Sequence, residues 1–201
     1  MDEIPVILLA AGGSSRMGQA KQLLRWGEVT LIEHQLQILQ KLGHPIIVVL
    51  GANAEKIIPV IDKYNANFVI NSNWESGMGS SVATCMEKLQ ADFPSSSAVL
   101  FTLVDQPLMS VAHLQKLIDS FSSGKASIIA SRSDEGWEGV PAVFDHHYFD
   151  ELGKLNGRQG AKSILMKYRD NVQFIEGGRI LRDMDSMEAY QELLTEYLKN
   201  M

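Results

Sequence analysis

Cysteine is nearly absent. Cys85 is the only one in 201 residues, so no internal disulfide can form and no cysteine cage can hold a metal. That usage suits a reducing compartment, and the expected location is cytoplasmic. Clusters of lysine and arginine are also missing, and the net charge is −6. Affinity for nucleic-acid backbones comes from grouped basic residues, so no nucleic-acid partner is expected. Long apolar runs are lacking too. The opening MDEIPVILLAAGG is acidic where a secretion signal starts basic, and its apolar part has the length of a strand. Neither a signal peptide nor a membrane span is expected. What remains is an ordinary globular composition, 45% hydrophobic and 21% charged, read as one domain over 1–201.

Short apolar runs at Ile4–Ala10, Ile46–Leu50, Phe68–Ile70, Ala98–Val104 and Ser127–Ala130 have the pattern of strands covered on both faces. Helical stretches lie between them. Thr30-Leu31-Ile32-Glu33 matches a capping box leading into a helix that reaches about Lys41; Asn53 is placed to cap Ala54–Lys63, and Ser110 to cap Val111–Phe121. Ser80–Leu89 fits a further amphipathic helix. The alternation predicts an α/β fold of three layers, a mostly parallel sheet with helices on both faces. After Ser131 the order is less regular: a polar DEGWEG turn, an apolar run at Val140–Phe144, a short helix around His146–Leu152, and a glycine-punctuated helix start at Gly157–Gly160. A last helix, Met187–Lys199, is expected to pack against the sheet.

The stretch LAAGGSSRMG, residues 9–18, follows the first strand, and Lys21 comes three residues later. A loop there sits at the carboxyl end of a parallel sheet, where backbone N–H groups can face an anion. Gly12, Gly13 and Gly18 permit tight turns and close approach, while Arg16 and Lys21 add a planar fork and a mobile point charge. Two familiar phosphate loops do not match. A dinucleotide site needs G-x-G-x-x-G and an acid ending the second strand, which here ends Leu50-Gly51-Ala52-Asn53; a Walker loop needs Gly-Lys-Ser/Thr, whereas Lys21 lies between Ala20 and Gln22. The plainer alternative is a glycine-rich turn with surface charges.

A second signal is Leu103-Val104-Asp105-Gln106-Pro107, an acid at the end of a highly apolar strand. A carboxylate beside bound phosphates repels them unless a cation intervenes, so the pairing with the loop implies Mg²⁺ on Asp105; taken alone, an Asp before a proline reads as an N-cap or turn aspartate. Asp183-Met184-Asp185 precedes the last helix, and alternation puts both carboxylates on one face if the backbone is extended. Asp185 would complete the metal site; the other reading makes these acids helix caps.

With these elements in place, the chain resembles the nucleotidyltransferase family whose fold is shared by enzymes that attach a nucleotide to molybdopterin. LAAGGSSRMGQAKQLL looks like that family's nucleotide-binding signature. The resemblance implies nucleotide contacts from Leu9, Ala10, Ala11, Gly12, Gly13, Ser14, Arg16 and Lys21, with Arg16 and Lys21 on the triphosphate. The Ala-Ala-Gly opening looks like the cytidylyl branch, the molybdenum cofactor cytidylyltransferases; the guanylyl branch usually shows Ala-Gly-Gly. The segment 71–81, NSNWESGMGSS, is similar to the one bordering base and ribose, which adds Asn73, Gly77, Ser80 and Ser81. Val104-Asp105-Gln106-Pro107 matches the metal motif, and Asp183 and Asp185 fall where the family carries Asp-Ile-Asp. On the acceptor side the chain departs from the pattern. It has Gly139-Val140-Pro141 for Gly-His-Pro, Arg158 within Gly157–Ala161 for the usual Asp, and Met187 where Pro is common. Gly139, Pro141 and Arg158 are the acceptor-side candidates, Arg158 as an acceptor-phosphate ligand or as a surface substitution.

The resemblance implies a Rossmann-like nucleotidyltransferase fold with a nucleotide half over about 1–110 and an acceptor half over about 111–201. It also implies CMP transfer from CTP to molybdopterin, with Arg16, Lys21 and Asp105 catalytic, and maturation of a molybdenum hydroxylase such as xanthine dehydrogenase as the setting. GTP as donor, a sugar or polyol phosphate as acceptor, and a non-catalytic cofactor-delivery factor are the alternatives. Other residues have plainer readings. Cys85 is a packing residue. His146 and His147 would diverge on a helix and are read as solvated surface rather than a shared metal site. Trp74 anchors its loop or stacks on a base, the methionines are core filler with Met78 alternatively placed to touch a ligand, and Trp137 lines a pterin pocket or covers a turn.

Overall fold

The computed structural model describes residues 3–13, 17–125 and 127–199. Nine strands and seven α-helices are formed among them. In chain order they are β1 (Val6–Leu9), β2 (Arg25–Trp26), β3 (Val29–Thr30), α1 (Leu31–Gln40), β4 (Ile46–Leu50), α2 (Ala54–Ile61), β5 (Asn67–Ile70), α3 (Met78–Asp92), β6 (Ala98–Leu103), α4 (Val111–Ser120), β7 (Ile128–Arg132), β8 (Glu138–Asp145), α5 (Phe149–Leu152), α6 (Lys162–Lys167), β9 (Val172–Glu176) and α7 (Met187–Lys199).

Seven strands form one sheet in the order β5-β4-β1-β6-β8-β7-β9. β5, β4, β1 and β6 run parallel, with Val6 of β1 beside Ile46 on one side and Leu100 on the other. Side chains alternate between two apolar layers. Val6 and Leu8 enter the layer under α1, α2 and α4, while Ile7 and Leu9 enter the layer under α3, α5 and α6. This period of two on a strand covered on both faces explains why β1 reads as a continuous apolar run. The result is the expected three-layer, mostly parallel α/β fold.

β8 departs from the parallel pattern: it is antiparallel to β6 and to β7. The DEGWEG segment is the cause. Ser133 N–H bonds to Trp137 O at 2.8 Å and Gly136 turns at a φ of 79°, closing a hairpin too short for the crossover that parallel strands need. β9, not anticipated from the sequence, then returns parallel to β7. It alternates exposed and covered residues and carries Gln and Glu, so it lacks the apolar density of the other sheet strands.

The Thr30 capping box is formed, with Thr30 Oγ1 accepting from Glu33 N–H and the Glu33 carboxylate accepting from Thr30 N–H at 2.9 Å. Ser110 caps α4 through His113 N–H. Asn53 does not act as expected. It sits in the left-handed region at φ 61° and makes no side-chain cap bond, serving as the corner where the chain leaves Gly51. The last helix enters the apolar layer on one face of the sheet through Leu193, and Tyr190 and Tyr197 of α7 also meet Trp26 of the small β2–β3 hairpin while Tyr197 meets His34 of α1. An aromatic cluster thus joins the C-terminal helix to the segment that follows the glycine loop.

Phe144 is fully buried on β8 and meets Phe101 of β6 edge to face at 5.8 Å between ring centres. Phe144→Ala leaves a cavity where the strands of opposite direction meet, and should cost about 3–5 kcal/mol. Urea unfolding measures this; a loss below about 1 kcal/mol would show that the β6–β8 seam is not close-packed.

Candidate functional site

β1 and β6 end side by side, with Leu9 paired to Leu103. The glycine loop leaves the first, and Asp105 follows the second. Beyond Ala10 the loop is braced from beneath by Gln22, which is fully buried and donates through Nε2 to Ala10 O at 2.7 Å and Gly12 O at 2.9 Å. Gly13 and Gly51 lie against Trp74: a Cβ on Gly13 would stand 2.9 Å from the indole, and one on Gly51 would stand 2.6 Å from both Trp74 and Ala11 O. Trp74 therefore anchors its loop across the base of the glycine turn. Ser14 and Arg16 lie outside the described residues.

The loop's lysine turns inward. Lys21 Nζ donates to Asp105 Oδ2 at 2.6 Å and to Asp185 Oδ1 at 3.4 Å. Its side chain is only 12% exposed. Burial alone would lower its pKa, but the Asp105 and then the Asp185 carboxylates outweigh that and hold the ammonium above the ordinary lysine range. Residues 21, 105 and 185, far apart in sequence, thus meet at the strand ends.

The segment 181–185 is fastened there by the backbone and by Gln106. Met184 N–H donates to Asp105 O at 2.8 Å, and the Met184 side chain is fully buried, so alternation sends Asp183 and Asp185 back toward Asp105. Gln106 Nε2 lies 3.1 Å from Asp183 Oδ1, 3.2 Å from Val140 O and 3.4 Å from Leu181 O. Gln35 Nε2 in turn donates to Gln106 O at 2.9 Å. Gln22 and Gln106 are the positioning residues that sequence reasoning passed over. The signal was their place inside the two quoted motifs, each a buried amide beside the charged residue it helps to aim.

The acids suit a hard divalent cation. Asp105 Oδ1 is buried and lacks a hydrogen-bond partner among the described residues, Asp185 is 61% exposed on the open side, and all the donors are oxygen, as Mg²⁺ requires. Lys21 stands in for the positive charge. Asp183 belongs to the same group but differs electrostatically: partial burial of its carboxyl, then the neighbouring Asp105 charge, pushes it up to about 6.

The segment 71–81, expected from the resemblance to border base and ribose, is held by its own hydrogen bonds. Asn71 is buried and donates through Nδ2 to Ser80 Oγ at 2.8 Å and Ser81 Oγ at 3.0 Å, while its Oδ1 accepts from Asn73 N–H. Ser80 and Ser81 are both buried at the start of α3, so their hydroxyls support the loop while Asn73 is exposed on it. Gly77 takes a φ of 120°, open only to glycine, and a Cβ there would reach Gly157 O at 2.5 Å. This close approach seats the 156–159 turn on the segment, with Arg158 exposed beside it.

On the other side of Asp183 an open cavity of about 550 Å³ is lined by Trp137, Ser133, Asp134, Arg179, Arg182 and Asp183. Of the acceptor-side candidates, Gly139 and Pro141 are buried in β8. Gly139 supports Trp137, because a Cβ there would stand 2.6 Å from the indole. Neither lines this cavity.

The Asp183 environment gives a signed prediction. A carboxyl raised in the folded state contributes stability that is present below its unfolded value of 3.8 and lost as pH rises through about 6. In metal-free buffer Asp183→Asn, which retains an acceptor for Gln106, should raise the melting temperature at pH 7.5 and not at pH 4. An equal shift at both pH values would contradict the crowding of the three acids.

Comparison with known proteins gives the family and the fold. A family model for the MobA-like NTP transferase domain matches residues 6–172. Nicotine blue oxidoreductase of Paenarthrobacter nicotinovorans is 35% identical over 197 residues, covering 94% of this chain and 95% of that protein. The molybdenum cofactor cytidylyltransferase of Escherichia coli K12 is 25% identical over 192 residues, again covering 94% and 95%. Among solved structures, Rv0371c of Mycobacterium tuberculosis superposes with a TM-score of 0.81 at 26% identity, covering 96% of this chain and 98% of that one. The same protein has also been solved in complex with manganese, with a TM-score of 0.77. The family match runs from the first residue of β1 to the first of β9 and takes in both the glycine loop and Asp105, and on that ground the chain belongs to the MobA-like NTP transferase family of nucleotidyltransferases.

Proposed function

We propose that this nucleotidyltransferase moves CMP from CTP to the terminal phosphate of the molybdenum cofactor, releasing pyrophosphate, in maturation of a molybdenum hydroxylase. The observation that carries the reading is the meeting of Lys21, Asp105 and Asp185 beside the glycine loop. The cytidylyltransferase name of the Escherichia coli relative and the Ala-Ala-Gly opening favour CTP over GTP. The nucleotide half over about 1–110 supplies the loop, and the half over about 111–201 supplies Asp185 and the cavity beside Trp137.

Asp105 and Asp185 are the residues to hold Mg²⁺, which when bound supplies charge neutralisation for the reacting phosphates. The protein's own groups do the rest. Backbone N–H groups of the glycine loop, with Arg16 and Lys21, bind the β- and γ-phosphates and offset the charge that gathers on the leaving pyrophosphate. The Asn71-braced loop around Asn73 and Gly77 holds base and ribose, fixing the α-phosphorus for in-line attack. An oxygen of the acceptor phosphate forms the new bond to that phosphorus as the α–β bridging bond breaks. The attacking oxygen is already anionic, so no general base is required and no covalent enzyme intermediate forms. Lys21 exchanges the two carboxylates for the phosphates once nucleotide is bound.

A second reading is favoured by one observation, the oxidoreductase name of the Paenarthrobacter relative. It predicts electron transfer on the same scaffold. The absence of an acid after β4, where the chain reads Leu50-Gly51-Ala52-Asn53, speaks against an adenine dinucleotide bound in the usual way.

Pyrophosphate release from CTP and Mg²⁺, with and without molybdenum cofactor, separates the readings. The expected result is cofactor-dependent release, reduced about 100-fold or more by Asp105→Ala and by Lys21→Ala, with each variant still folded by circular dichroism. Wild-type turnover in Asp105→Ala would overturn the metal assignment. Release only with polyol phosphates would move the acceptor, and nicotinamide oxidation without pyrophosphate release would favour the second reading.

A further inference from the structure

The opposite end of the sheet carries a second group of ligand-type side chains. β8 runs against β6, so its last residue, Asp145, pairs with Ala98 at the start of β6, whereas Asp105 follows that strand's other end. At about 3.3 Å per residue, the two acids are roughly 20 Å apart along the sheet. Asp145 is fully buried and held in place by two backbone groups: His147 N–H donates to Oδ1 at 3.0 Å and Gly124 N–H to Oδ2 at 3.1 Å. Both following imidazoles close on the same oxygen. His146 Nδ1 lies 2.9 Å from Asp145 Oδ1, His147 Nδ1 bonds to that oxygen as well, and the ring centres are 4.3 Å apart.

Consecutive histidines on a helix point about 100° apart, which was the reason to read them as surface. Both side chains are about half exposed, as a surface reading expects, but the rings do not diverge, because Asp145 is still extended, at φ −62° and ψ 151°, and the chain turns immediately after it into a single 3₁₀ turn. The corner wraps both rings around the carboxylate.

We infer that Asp145, His146 and His147 form a binding site for a borderline divalent transition metal such as Zn²⁺, at the end of the sheet remote from the glycine loop. One carboxylate oxygen and two imidazole nitrogens, all within 4.8 Å of one another, match the donor set such ions prefer. Ligands at about 2.1 Å from a tetrahedral ion are about 3.4 Å from each other, so a small outward movement of the half-exposed rings suffices. The carboxylate need not move, since Gly124 and His147 N–H already orient it as outer-shell partners do. Each ring binds through Nδ1 with its proton on Nε2. The one remaining tetrahedral position falls to water.

Titration calorimetry of the full chain with ZnCl₂ tests this, with Asp105→Asn present in every protein so that the acids beside Lys21 contribute less. One equivalent should bind, and His146→Gln/His147→Gln, which changes two half-exposed side chains, should weaken it at least tenfold while the variant remains folded by circular dichroism. Asp145→Asn should weaken it too. Cobalt(II) substitution should give visible absorption that vanishes in the double histidine variant. Unaltered Zn²⁺ affinity in that variant, or no binding by the parent up to millimolar Zn²⁺, would overturn the assignment. Neither result bears on CTP turnover, so the site stands or falls apart from the proposed transferase activity.

Discussion

Three carboxylates share one strand end in this protein, and a single described ammonium group lies among them. Asp105, Asp183 and Asp185 approach within interacting distance, and like charges so placed resist folding unless a cation offsets them. Lys21 meets that requirement, bonded to two of the three. The glycine loop, the turn after β6 and the segment before α7 are all constrained by this arrangement, because moving any one of them leaves a carboxylate without its counter-charge. The same arrangement is what gives the site chemical potential: positive charge is required where a divalent cation and a triphosphate would meet.

Precision in the site comes from neutral amides. Gln22 fixes the loop backbone and Gln106 joins β8, residue 181 and Asp183, with Gln35 holding Gln106 in turn. Amides suit this work because each offers fixed donors without a charge to desolvate. The segment 71–81 uses the same device in Asn71, which ties the loop to the start of α3.

Much of the fold was legible because the sheet is buried on both faces. The strands β1, β4 and β6 announce themselves as branched apolar runs, and the Thr30 and Ser110 caps act as their side chains suggest. β9 escaped notice because an edge strand half open to solvent has no such run, and β8 was placed without its direction, since direction depends on the length of the preceding turn. Asn53 was misread because a left-handed corner and an N-cap favour the same residue type. In the site, the charged residues could be found from motif and spacing. Gln22 and Gln106 had only their place inside the two motifs to mark them, and the partners of Gln22, Gln106 and Asn71 were not legible, because a buried amide has no periodic signature. His146 and His147 show the same limit from the other side: the helical spacing used to separate them does not apply at a strand-to-turn corner.

The account depends most on Lys21 and a divalent cation being alternative partners of Asp105 and Asp185. A crystal structure of the protein with CTP and Mn²⁺ tests that directly. It should show the metal bound by Asp105 and Asp185, and Lys21 Nζ withdrawn from both carboxylates onto the phosphates. A metal bound elsewhere, with the Lys21–Asp105 contact still at its present 2.6 Å, would contradict it.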